Sequence, residues 1–402
     1  MTATRKPAKS TLWIGSLALV LSASLGPAAP GVVASSKQST NVDRAIRSYQ
    51  ALQQYFYLGD PPLYLEEYPY TSGNPYSYVW PFSQAMAGTI DLAGIRSLRG
   101  SYQTDVQDRL AGLALYWNSE TTPPGYDSYV RPPLGFGGDK FYDDNEWIGL
   151  ELVQWYRMTG HAFALERARQ IFELVVFGWD TDTTHPCPGG VFWTQAPWSQ
   201  DRNTVSNAPG AELGLQLYEL TADAAQKAHY LEWSTKMYDW VNGCLFAPNG
   251  LYWDHIDLAG NIEKTQWSYN QGTMIGANAL FYRITGQRVY LDRANAIADA
   301  ALDYYGGGGR LYRQDPPFNA IFFKNLLLLD SVDHNPRFRQ AMQAYADEVW
   351  QSARDPETGL FRFRGDQAGE APVPCRDDRD LRDIGLGCAG LPIDGVMRLD
   401  PA

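Results

Sequence analysis

A chain of 402 residues, 45% of them hydrophobic, is long enough for one large domain or two ordinary ones with a substantial core. Its formal charge of −12 makes nucleic acid and anionic membrane surfaces poor partners and suits a neutral ligand. The 13 Trp and 25 Tyr suit surfaces that stack on sugar rings, though a large core also consumes aromatics.

Residues 1–34 read as a secretory signal. Arg5, Lys6 and Lys9 form a charged start, Leu12 to Leu21 an apolar segment, and Val32-Val33-Ala34 a small-residue cleavage site. The apolar run is short for a bilayer span, so cleavage rather than anchoring is expected, with no stable membrane insertion. The expected location is secreted or extracytoplasmic, and removing the three basic residues makes the mature chain more acidic still.

From Asn41 onward, periodicity predicts helices near 41–57, 80–95, 101–118, 144–159, 161–177, 207–221, 224–242, 270–285, 287–304, 317–330 and 335–352. Their character alternates. Residues 161–177 set Glu166, Arg167, Arg169, Gln170 and Glu173 against an apolar face, whereas 270–285 carry no charge until Arg283. The first pattern suits an exterior helix and the second an interior one. Tyr156-Arg157-Met158-Thr159-Gly160, Tyr218-Glu219-Leu220-Thr221 and Tyr282-Arg283-Ile284-Thr285-Gly286 each close an interior helix, which marks a helical-hairpin repeat. Such hairpins close into an all-α fold, an (α/α)6 barrel; an open superhelix is the alternative.

Phe141-Tyr142-Asp143-Asp144-Asn145-Glu146-Trp147 places adjacent acids at the start of an interior helix. Two ionised carboxylates there are costly unless their charge is used. A capping box from Asp143 to Glu146 accounts for two of the three acids but leaves Asp144 unexplained. In a closed ring, all loops preceding inner helices gather at one end. That brings Trp80, Tyr142, Asn145, Asn203, Asn207, Tyr269 and Asn270 toward the two aspartates. The longer loops 119–141, 178–206 and 246–268 would build cleft walls and present Trp193 and Trp253, either as sugar platforms or as wall packing.

The four cysteines fit two disulfides, with three possible connectivities. Cys187–Cys244 and Cys375–Cys388 are favoured. No Cys pair has tight ligand spacing and the five His are dispersed, so neither metal nor cofactor is expected. Residues 353–402 read as an irregular tail held by the second bridge, after a catalytic domain at 35–352.

Two carboxyls fit glycoside hydrolysis, with separations of about 5 to 5.5 Å for retention and wider for inversion. Asp143, nearest the helix dipole, stays ionised as nucleophile, while Asp144 beside that charge holds a proton as acid/base. No nucleophile elbow or phosphate loop appears, and a sugar epimerase would want a His shuttle.

Gly138-Asp139-Lys140-Phe141-Tyr142-Asp143-Asp144-Asn145-Glu146-Trp147 resembles the Asp-Asp signature of glycoside hydrolase family 76. Gly189-Gly190-Val191-Phe192-Trp193, Asn203 to Asn207, Ser268-Tyr269-Asn270-Gln271-Gly272 and Phe323-Lys324-Asn325 resemble its later landmarks in order. The resemblance spans about residues 78–330. It implies an (α/α)6 barrel, retaining hydrolysis of α-1,6-linked mannan, Asp143 as nucleophile, Asp144 as acid/base and no catalytic metal. Glu146 departs from the family, which often has a small residue there. The expected partner is an α-mannan polysaccharide or oligosaccharide, and a monomer is expected. A mannan transglycosylase, a non-catalytic glycan-binding protein and an uronic-acid enzyme on the same fold are the alternatives, the last disfavoured because its motif loops offer few Lys or Arg.

Overall fold

The computed structural model describes residues 10–11 and 35–361. The expected signal segment, apart from residues 10 and 11, and the expected Cys375–Cys388 bridge lie outside the described residues. Eleven α-helices occur among the described residues, one for each segment predicted from periodicity. None is long and apolar enough to cross a membrane.

Contacts divide the described residues into two compact units, those within 1–115, 132–136 and 346–361 forming one and residues 116–131 and 137–345 the other. In the first, α2 (Val79–Gly94) packs against α1 (Ser35–Tyr55) and α3 (Gln103–Leu113), and Arg44 of α1 pairs with Asp347 near the end of α11 (Pro336–Ser352). Helix α2 is buried along almost its whole length, and its run of Ala85, Ala87 and Gly88 lets neighbours approach closely. Arg109 of α3 is sealed from solvent. Its guanidinium donates to Gln53 of α1 and to the Tyr64 hydroxyl, and lies over the Tyr57 ring at 4.0 Å. Two neutral acceptors at Nη1 and a π-face thus compensate the buried cation, while its Nε has no hydrogen-bond partner among the described residues.

The second unit holds α4 (Tyr142–Thr159), α5 (Ala162–Phe177), α6 (Thr204–Leu220), α7 (Ala224–Cys244), α8 (Ser268–Thr285), α9 (Arg288–Gly306) and α10 (Pro316–Asp330). Helices α4, α6, α8 and α10 lie side by side, and α5, α7 and α9 each cover the helix that precedes them. The inner and outer assignment read from charge content holds in this unit. Close approach among inner helices depends on missing side chains: a Cβ on Gly276 of α8 would sit 1.9 Å from Asn325 Oδ1 of α10.

The sequence repeat proves to be a helix-stop device. Gly160 and Gly286 adopt left-handed φ of 72° and 69°, and their N–H groups bond back to the carbonyls of Tyr156 and Tyr282. The preceding Thr159 and Thr285 hydroxyls donate to Trp155 and Phe281 and accept from the next turn's N–H. The middle copy lacks the glycine because α6 leaves through Thr221 in an extended conformation.

Between hairpins, strand Asp201–Asn203 pairs antiparallel with His255–Asp257, which pairs with Ile262–Glu263. The Cys187–Cys244 disulfide ties the 178–206 loop to the end of α7, with Cα atoms 6.1 Å apart.

Several interior acids are held protonated by burial. Desolvation pushes Glu66 and Glu212 up to about 8 and Glu146 well above the usual carboxylate range. Between pH 5 and 8 the folded chain therefore binds more protons than the unfolded chain, whose Glu groups titrate near 4.3, and stability falls as pH rises. The exposed acids with lowered values, Asp182, Glu232, Asp257 and Glu263, act only below that window. Thermal midpoints should be higher at pH 5 than at pH 8, and Glu212→Gln should flatten the slope. A midpoint that climbs with pH across this range contradicts the assignment.

Candidate active site

Helix α4 begins at Tyr142 with Phe141 as its N-cap, and no side chain caps it. The capping-box alternative is therefore not realised: Asp143 and Asp144 sit inside the first turn, where orphan N–H groups point toward the chain's incoming end. Asp143 Oδ2 accepts from the indole Nε1 of Trp193 at 3.2 Å. Backbone N–H groups of Asp143 and Asp144 also favour its charge, yet burial dominates and pushes it up to about 7, with Asp254 adding repulsion. Asp144 is raised well above the ordinary value, by burial first and then by Asp143. The two neighbours thus differ in kind. One carboxyl has donors for its ionised form; the other has a like charge beside it.

Residues from distant loops gather here. Asp254 accepts from Asn270 Nδ2 at 3.3 Å through Oδ1 and pairs with His255 Nδ1 at 3.0 Å through Oδ2. Tyr269 is buried edge-on to Phe318, with ring centroids 4.0 Å apart. Its hydroxyl is pushed up by burial and then by Asp254, Asp143 and Asp315, so the leading ends of α4, α8 and α10 share one acidic region. Burial also pushes Asp315 up to about 7. The Oδ1 atoms of Asp143, Asn203 and Asn270 are buried without a hydrogen-bond partner among the described residues. Buried acceptors in that state are costly unless a ligand hydroxyl or water meets them.

Two residues expected at the ligand do something else. Asn145 is wholly buried, its Oδ1 accepting from Tyr126 N and its Nδ2 donating to the carbonyls of Tyr126 and Phe141. Asn207 does the same with Val191 N, Val191 O and Asn203 O. With donors and acceptor spent on backbone, neither is available to a sugar, and the ligand expectation is corrected to a clamping role. Gln271, not singled out from sequence as a ligand, repeats the device on α8 by clasping Tyr252 and the Trp267 carbonyl. In each case the amide is the fourth residue of an inner helix and grips the loop that forms the wall beside it. Asn207 thereby fixes the segment that carries Trp193, and Gln271 the one that carries Trp253.

The remaining expected residues fall as follows. Tyr142 is buried, with its ring where a Cβ on Gly178 would need to be, 2.5 Å away, so it packs the wall rather than lining the opening. Trp193 is half-buried and touches Asp143, while Trp253 is half-buried with Lys264 Nζ 5.4 Å above its ring. Asn203 lies on the strand that pairs with the Asp254 segment, residue for residue opposite His255. Trp80 belongs to α2 in the other unit, where it is half-buried. Asp254 was missed in the sequence. Its signal was modest: it directly follows Trp253 in an extended piece. Among the described residues, no group of three His, Cys, Asp or Glu side chains is placed to hold a metal ion.

Paired inner and outer helices, with an acid pair at the start of an inner one, define an (α/α) barrel bearing an acidic, aromatic-walled site. Solved structures share the fold. A family 76 mannosidase, Bt3792 from Bacteroides thetaiotaomicron VPI-5482, superposes with a TM-score of 0.70 at 24% identity, covering 82% of this chain and 92% of that one. An inactive double-aspartate variant of the GH76A α-1,6-mannanase of Salegentibacter sp. HEL1_6, in complex with α-1,6-mannotetrose, matches with a TM-score of 0.62 at 23% identity, covering 79% and 90%. The all-α, (α/α) barrel class expected from the sequence is thus the class of the molecule.

The model of glycosyl hydrolase family 76 matches residues 38–362, and the chain belongs to that family. Mannan endo-1,6-alpha-mannosidase DCW1 of Candida glabrata is 28% identical over 246 residues, 57% of this chain. The match spans 50% of the length of that relative.

Proposed function

We propose that this protein is an exported glycoside hydrolase that cleaves α-1,6-mannosidic bonds in mannan-type polysaccharide with retention of configuration, its catalytic domain being residues 35–352. The observation that carries the reading is the unequal pair: Asp143 with an indole and backbone donors, Asp144 with a negative neighbour and a proton. Family membership, relatives named mannan endo-1,6-alpha-mannosidases and the mannotetrose complex of a structural neighbour support the choice of bond. The strong negative charge suits a neutral glycan.

In this mechanism the Asp143 carboxylate attacks the anomeric carbon while Asp144 protonates the departing O6 of the next mannose, leaving a glycosyl ester on Asp143. Asp144, now a base, takes a proton from water as that water cleaves the ester, and both carboxyls return to their starting states. In this reading Asn270, Asn203 and Asp254 receive hydroxyls of the bound ring, and Trp193 and Trp253 meet apolar sugar faces. Linear α-1,6-mannan incubated with the enzyme should give shorter oligosaccharides whose new reducing ends appear first as the α anomer by NMR. Initial β anomer means inversion and removes Asp143 as nucleophile.

The acid limb of kcat/KM should lie near neutrality, since the pair must shed one proton and keep one. Trp193→Phe deletes a donor to the charged form of Asp143, so protonation persists to higher pH. The acid limb should move up by about 1 to 2 units, the worth of one hydrogen bond to a charged group. A profile unmoved by this change assigns the indole to packing alone.

A further inference from the structure

Beside Asp143, the aromatic surface does not stop at Trp193. Phe141, Trp193 and Trp198 form one cluster, with centroid separations of 5.0 Å for Phe141–Trp193, 6.2 Å for Phe141–Trp198 and 6.3 Å for Trp193–Trp198. Phe141 and Trp193 are half-buried, whereas Trp198 leaves 36% of its surface open. A large indole exposed at the outer end of a cluster whose inner end hydrogen-bonds a catalytic acid is not explained by core packing.

Nor is it a loose side chain on a floppy tip. The 194–199 turn is pinned to the approach of α4: Gln195 N and the Thr194 hydroxyl both donate to the Lys140 carbonyl, at 2.9 and 2.8 Å. Ser199 N closes the turn on the Ala196 carbonyl, and Ser199 Oγ accepts from Thr194 N. Lys140 is itself buried in an ion pair with Asp127 at 2.9 Å. The turn that carries the indole is therefore fixed before any ligand arrives, and the ring itself packs on Phe141 and Trp193, which lowers the ordering cost of binding to it.

We propose that Trp198 is a sugar-binding platform that receives a mannosyl unit of the glycan chain beyond those at the acid pair, and so sets a preference for longer substrates. The inference rests on the α-1,6-mannan reading of the same site. The occupant follows from continuity: a chain whose reacting unit sits at Asp143 and crosses Trp193 meets Trp198 next. A pyranose face offers C–H bonds to an indole without demanding charge, and the cluster presents none.

The test compares wild type, Trp198→Ala and Trp198→Phe on α-1,6-mannooligosaccharides of increasing length. For Trp198→Ala, kcat/KM on the longer oligosaccharides should fall about 3- to 10-fold through KM, as expected for losing one aromatic contact, with the shortest cleaved oligosaccharide losing least. Trp198→Phe should recover most of the loss. Equal loss at every length, or loss at none, overturns the proposal, and thermal midpoints of the variants separate a folding defect from a binding one. If wild type cleaves no α-1,6-mannooligosaccharide, the reaction assignment fails instead. Calorimetric titration of the same oligosaccharides into wild type and Trp198→Ala then decides the platform separately, with equal affinities sinking it.

Discussion

Asp144→Asn is expected to lower turnover of linear α-1,6-mannan by about 10²- to 10⁴-fold, the usual contribution of a positioned general acid and base. Asp143→Asn should fall at least as far, because no ester can form without the carboxylate. The two losses differ in kind, and that difference tests the roles. An aryl α-mannoside with a good leaving group needs little protonation, so Asp144→Asn should release a burst of phenol and then stall as the ester waits for a base. Asp143→Asn should give no burst. A burst from Asp143→Asn, or near-normal mannan turnover by either variant, overturns the assignment. The Asn variants keep the shape of the first turn of α4, so circular dichroism and thermal midpoints should stay close to wild type.

Arg202→Met is expected to carry the largest stability cost in the second unit, about 3 to 5 kcal/mol, as for breaking a buried ion pair from one side. Arg202 is fully buried and donates to Asp180 Oδ2 at 3.1 Å and to the carbonyls of Pro186, Cys187, Gly189 and Asp257. Its loss takes the cationic partner from the buried Asp180, which keeps only the His185 ring at 2.8 Å and the Asp182 N–H at 3.0 Å, and removes the donor from the Pro186 and Gly189 carbonyls. Urea midpoints measure the effect. The double variant Arg202→Met with Asp180→Asn should lose less than the two single costs combined, since removing the stranded charge relieves part of the penalty. A single-variant cost below about 1 kcal/mol contradicts the arrangement. Activity should suffer as well: Arg202 lies on the strand that carries Asn203 and pairs with the segment behind Asp254.

How far each feature was legible depends on the range of the interaction behind it. Helices α1 to α11 were readable because burial of one face repeats at 3.6 residues, and the inner members because a helix without charges has no face for water. The Cys187–Cys244 pairing was among three possibilities, and the tertiary structure selects it. Glu146 read as half of a capping box. In the structure both its oxygens have no hydrogen-bond partner among the described residues, and it lies among Met237, Val175 and Gly210, an environment made by three other helices.

Amides at the leading ends of inner helices were equally visible, but their partners were not. Asn145 and Asn270 share a residue type and a location, yet one is consumed by the backbone of Tyr126 and the other faces Asp254. By itself the sequence determined the helical class, the hairpin order and the acid pair, since these follow from periodicity and from neighbours a few residues apart. Only the tertiary structure decided which polar groups remain free for a ligand, brought in Asp254 and ran the aromatic wall out to Trp198. A hydrogen bond is directional and short-ranged, so its ownership is settled by backbone segments that lie close in space and far apart along the chain.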